Sequence, residues 1–152
     1  MKNKKTKEKL CAFYASDYHF EMISLPYINR NINENREVVI FTDEDLQETI
    51  DKLLENLNLE DNKKEKILNI NWSNNDVEKF KHLKTIGNNL IVFIKGKENY
   101  IKSINNNLSN WTNDVQNIKI IDCYEMEEVA NCMHDVVKGY SKMLVTSGEK
   151  II

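Results

Sequence analysis

The strongest constraint on this chain is an alternation of two hydrophobic periods with almost nothing to interrupt either. Short apolar runs, several of them continuous, recur at residues 10–15, 38–41, 67–70, 90–94 and 118–123. Between them apolar residues return every third or fourth position. One such stripe is Leu46, Ile50, Leu53, Leu54 and Leu57, and a second is Val77, Phe80, Leu83 and Ile86. A third is Ile101, Ile104, Leu108 and Trp111, and a fourth is Met126, Val129, Met133, Val136, Val137 and Tyr140. Unbroken apolar runs read as strands covered on both faces, and the longer spacing reads as helices with one buried face. One Pro and four Gly in 152 residues leave few points where an element must stop.

A first helix is expected after residue 16, with Tyr18, Met22, Leu25, Ile28 and Ile32 on its inner face. Pro26 in its middle removes a backbone donor, which predicts a kink or restart near Leu25. Residues 142–146 add a sixth strand. Helix starts are expected at Asp43, Asn75 and Lys97-Glu98, from capping and first-turn acids. The order predicts a three-layer α/β/α domain with a mostly parallel central sheet of five or six strands and right-handed crossovers.

Charge and cysteine usage narrow the classes of function. Residues 2–9 hold five Lys against one Glu, so a net charge of −3 leaves about −7 on the rest. The expected organisation is a lysine-rich arm over residues 1–9 and one domain over 10–152. An acidic body disfavours nucleic acid, whose binding rests on clustered Lys and Arg. No run approaches the ~18 apolar residues of a membrane span, and the segment after the arm is too short for a secretion signal. Three widely spaced cysteines, Cys11, Cys123 and Cys132, suit reduced thiols, so a cytoplasmic protein is expected.

In open parallel sheets ligands bind beyond the carboxyl ends of the strands. Here those ends supply Asp17, Tyr18 and His19, then Asp43, then Trp72, then Lys95 and Lys97, and last Tyr124 and Glu125. They are the candidate ligand-binding rim. The first strand lacks the glycines of a phosphate loop or a Rossmann-like dinucleotide turn, and its Asp17 and Glu21 would repel phosphate. Asp17-x-His19-x-Glu21 has the residue types of a metal site without a spacing that converges, so no metal and no cofactor is expected. Cys132 and His134 face different ways on a helix. Cys123, beside Asp122 and Glu125, has no partner His in sequence, and Lys95-Gly96-Lys97 reads as an anion hold or a turn.

Several of these segments resemble the opening and close of the MEDS domain, the sensory domain of methanogens and of the dichloromethane regulator of methylotrophs. They are Leu10 to Tyr14, the Leu25-Pro26-Tyr27-Ile28 step, Glu37-Val38-Val39-Ile40-Phe41, and Ile120-Ile121-Asp122-Cys123-Tyr124-Glu125. The resemblance covers residues 10–59 and 118–125. It implies a RecA- or KaiC-like core that has lost its phosphate loop, with a sensory or regulatory role. The expectation is a non-enzymatic domain that binds a small ligand or a signalling protein at the rim. Two rivals stay open: a small hydrolase or transferase using Asp17, His19 and Glu125, and a structural protein that forms homo-oligomers.

Overall fold

The computed structural model describes residues 5–32 and 36–152. Strand β1 (Thr6–Tyr14) leads into helix α1 (Asp17–Asn31), and β2 (Arg36–Thr42) follows. Three helices come next, α2 (Gln47–Glu55), α3 (Asp61–Leu68) and α4 (Asp76–Leu83). Then come β3 (Asn89–Gly96), α5 (Glu98–Leu108) and β4 (Asn117–Glu125). Short helices α6 (Met126–Val129) and α7 (Met133–Val137) precede a hairpin of β5 (Lys142–Val145) and β6 (Gly148–Ile151).

The six strands form one sheet in the order β2-β3-β4-β1-β5-β6, parallel except for β6, which runs antiparallel to β5. This is the three-layer α/β/α architecture. Alternate side chains of the strands feed two cores. On one face Leu10, Ala12, Ile40, Phe93 and Ile121 pack with α1, α2 and α3. On the other, Cys11, Phe41, Val92, Ile94 and Ile120 pack with α4, α5 and the α6–α7 segment. Because β1 to β4 are covered on both sides, their sequences carry apolar runs instead of alternation.

Four expectations are corrected. Residues 67–70 are not a strand: Ile67 lies in the last turn of α3 and Ile70 follows the helix, both buried at helical spacing. Three apolar residues within four fit a helix end as well as a strand, and tertiary packing chose the helix. The arm boundary moves, since Thr6 to Lys9 belong to β1 and pair with β4 from Thr6↔Asn117 onward; residues 1–4 lie outside the described residues. The fourth stripe breaks into α6 and α7 at Cys132. Pro26 does not restart α1, which is continuous from Asp17 to Asn31.

The helix face of α1 also differs. Tyr18 is 61% exposed and Met22 36%, whereas Phe20, Glu21, Ile23, Ser24, Tyr27 and Ile28 are buried. The stripe of large aromatics won over the stripe that began at Tyr18, because Phe20 and Tyr27 both meet the Phe93 ring edge-on. Two polar residues, Glu21 and Ser24, are carried inside with them. The outer edge of β2 is blunted by Lys79, whose buried ammonium donates to the Ile40 and Ser73 carbonyls. No helix of the described residues is long and apolar enough to cross a membrane.

Candidate functional site

Strand order fixes where a ligand would sit. From β1 the chain crosses by α1, on one face, to β2; from the neighbouring β4 it crosses by α6 and α7, on the other face, to β5. The connections leave in opposite directions, so the carboxyl ends of β1 and β4 flank the crevice such sheets use.

Tyr14, the last residue of β1, stands at that crevice. Burial, and then the charges of Asp43, Glu125 and Asp17, hold its phenol well above the usual range. Those charges come from the ends of β1, β2 and β4, so a parallel sheet has brought distant parts of the chain to one edge. Lys95, from β3, is the counter-charge. Its side chain is 2% exposed, its ammonium lies 2.9 Å from Asp17 Oδ1, and it sits 4.7 Å from the centre of the Tyr14 ring. A lysine taken this far out of water needs such a partner and such a ring.

The start of α1 is closed on itself. Ser16 caps the helix by accepting from the His19 amide, and His19 Nδ1 accepts from the Ala15 amide at 2.8 Å. That bond places the neutral ring's proton on Nε2. These are amides an anion at this helix start would need, and they already have partners. Asp43 is not a cap for α2, whose N-cap is Leu46; its Oδ2 accepts instead from the Lys97 amide at the start of α5. Gly96 permits this approach, since a Cβ there would lie 2.7 Å from Asp43 Oδ2. The Lys95-Gly96-Lys97 turn therefore does not present two lysines to an anion: Lys95 turns inward to Asp17 while Lys97 is exposed.

The rim as expected thus divides. Asp17, Asp43, Lys95 and Glu125 converge on Tyr14, with His19 one turn into α1 and Lys97 joined through its amide. Trp72 does not belong to it. With residues 67–70 helical, Trp72 ends no strand; its indole is fully buried and donates to the Ile67 carbonyl at 2.8 Å. Tyr124 points to the opposite face, where it stacks on Phe13 and its hydroxyl meets that of Tyr140 at 2.7 Å. Tyr18 stands exposed on α1.

The opposite face holds a second polar centre. Buried Asp122 accepts from Tyr140 at 2.5 Å and from Asn105 at 3.0 Å, and lies 3.3 Å from the Lys9 ammonium. Cys123 is a core thiol pushed well up, first by burial and then by Asp122, which is the opposite of an activated nucleophile.

Glu21 is the residue whose place sequence reasoning missed. It is 1% exposed, its Oε1 has no hydrogen-bond partner among the described residues, and burial first, then Asp17, push its carboxyl up to about 7 against the pull of Lys95. The signal was present: a helix drawn through Phe20, Ile23, Tyr27 and Ile28 puts positions 21 and 24 beside the buried face.

Comparison with protein-family models, with curated proteins and with solved structures gives no match to this chain. The fold and the two polar centres define its class as an α/β/α domain with a charged crevice at the carboxyl ends of its strands.

Proposed function

We propose that this is a non-enzymatic sensory or regulatory domain that binds a small ligand or a signalling protein at the crevice beside Tyr14. The observation that carries the reading is the Lys95–Asp17 pair, a buried ammonium met by a carboxylate whose side chain is 44% exposed, at the switch point of the sheet. A polar ligand reaching Asp17 would change the partner of Lys95, and the rings of Tyr14 and Phe20 would feel it. The likeness to MEDS domains in residues 10–59 and 118–125 agrees with a sensory role. The acidic body favours a partner other than nucleic acid or an anionic membrane.

The hydrolase or transferase reading has less behind it, because Asp17 is engaged by Lys95 and His19 Nδ1 by the Ala15 amide. A thermal-shift screen of small polar and charged compounds tests the proposal. A true ligand at a hundredfold its Kd adds about 2.7 kcal/mol, or about 5–10 °C for a domain of this size. The shift should vanish in His19→Ala and Lys95→Met. Shifts of equal size in both variants and the parent would place binding elsewhere and end the rim reading.

A further inference from the structure

Four side-chain polar atoms are sealed from solvent without a hydrogen-bond partner among the described residues, and three of them lie on α1. They are Glu21 Oε1, Ser24 Oγ and Asn29 Oδ1; the fourth, Glu8 Oε1, has the Lys142 ammonium 2.8 Å away. Unsatisfied buried groups are rare, and each calls for an explanation. Their concentration on one helix is not a general looseness of packing.

A cavity of about 190 Å³ lies along the same helix, lined by Glu21, Asn29, Met22, Leu25 and Pro26 from α1 and by Leu53, Leu57 and Leu59 from the α2 side. Its walls are apolar, and Glu21 is the one charged side chain in that lining. Pro26 contributes a further acceptor, because its missing N–H leaves the Met22 carbonyl without the usual bond from four residues ahead. An apolar space of about 150 Å³ holds a benzene ring, so this one has room for a ring and a short polar tail.

We propose that this groove is a binding site for a small lipophilic amine, its ammonium against Glu21 and its apolar body between Pro26 and the leucines of the α2 side. Charge complementarity selects the head. The groove offers a carboxyl oxygen, an amide oxygen and a freed carbonyl, and no lining side chain is cationic. An ammonium supplies donors to groups that otherwise have none, while a carboxylate ligand would add a second negative charge. The charged groups acting on Glu21 are Asp17 on its own helix and Lys95 on β3; the residues that line the groove from the α2 side are leucines, and the Lys63 ammonium of α3 donates to the Asn29 carbonyl. Glu21 rises toward about 7 in the empty groove, and an ammonium would return it to its charged form. The groove lining shares no residue with the crevice at Tyr14, although Glu21 feels the charges of Asp17 and Lys95 there; shifts confined to residues 21–29 and 53–59 distinguish the two sites.

Phenethylamine, phenethyl alcohol and 3-phenylpropionate share a body and differ in the head, which makes them the probes. Titration of each into the 15N-labelled chain, followed by amide shifts of residues 21–29 and 53–59, measures affinity and place together. The amine should bind about tenfold tighter than the alcohol, and the acid weakest. Glu21→Gln should erase the preference between amine and alcohol. Leu57→Trp, which fills the groove and keeps Glu21, should abolish binding of all three, and it serves if Glu21→Gln does not fold. Equal binding of amine and alcohol, tightest binding by the acid, shifts that fall outside residues 21–29 and 53–59, or no binding at all would each overturn the proposal.

Discussion

The two faces of the sheet each bury charge, and they treat it in opposite ways. On the α5 side, Asp122 is surrounded by Lys9, Tyr140 and Asn105, and Tyr124 completes the chain through Tyr140. On the α1 side, Lys95 has Asp17 and two aromatic rings, but Glu21, Ser24 and Asn29 keep oxygens with no hydrogen-bond partner among the described residues. A fully connected polar network in a low-dielectric interior rigidifies a fold, whereas an incomplete one is held at a cost. The comparison teaches that the satisfied face is architecture, and it is on the unsatisfied face that the proposed amine would find acceptors to complete.

The largest effect expected is on the architectural face. Asp122→Ala strands a tyrosine, an asparagine amide and a lysine at once, and should destabilise the domain by about 3–5 kcal/mol. Urea melts check it; a loss below about 1 kcal/mol would mean the network contributes little and the contrast between faces fails.

Glu21 should leave a pH signature of nearly the same size. Its ordinary value is 4.5 and its folded value about 7. Between these the folded chain keeps a proton the unfolded chain has given up, so stability falls as pH rises through this window. The full difference is about 3 kcal/mol, with no further loss above it. Denaturant midpoints for the parent and Glu21→Gln at pH 5 and 8 isolate this group. The parent should lose ground relative to the variant at pH 8; a relative gain would show that Glu21 is charged and paired.

Asp17→Ala comes next, at about 2 kcal/mol, because Lys95 would be left buried with rings alone while Asp17 itself is partly solvated. Lys95→Met in the same background should recover most of the loss, since a buried charge without a partner is worse than none. If the double variant is as unstable as Asp17→Ala, the pair is not what holds the crevice. Smallest is Tyr124→Phe, about 1 kcal/mol, for one hydroxyl bond to Tyr140. Thermal melts should place it well below Asp122→Ala; a larger effect would make Tyr124 the hub of the network.

Most of the sheet was legible in the chain because buried parallel strands write themselves as continuous apolar runs, as in residues 90–94. Residues 67–70 misled because three apolar residues within four suit either state, and only the packing of Ile67, Ile70 and Trp72 beneath the α1 face decides. The convergence of Asp17, Asp43, Lys95 and Glu125 followed from topology alone, since parallel strands end at one edge whatever their order. Trp72 and Tyr124 dropped out for a reason local sequence does not carry, namely which strand ends exist and which face a side chain takes.

Periodicity, charge and the scarcity of glycine thus determined the layers, the mostly parallel sheet and the absence of a phosphate-loop motif after β1. The tertiary structure decided the strand order, the burial of Lys95 and the inward turn of Glu21. Hydrophobic pattern is a local property of the chain, whereas the protonation and pairing of a buried group depend on what other elements bring beside it. In its helix considered alone Glu21 only borders the buried face, and it becomes a fully buried acid when Phe20 and Tyr27 dock on Phe93 and carry it inside.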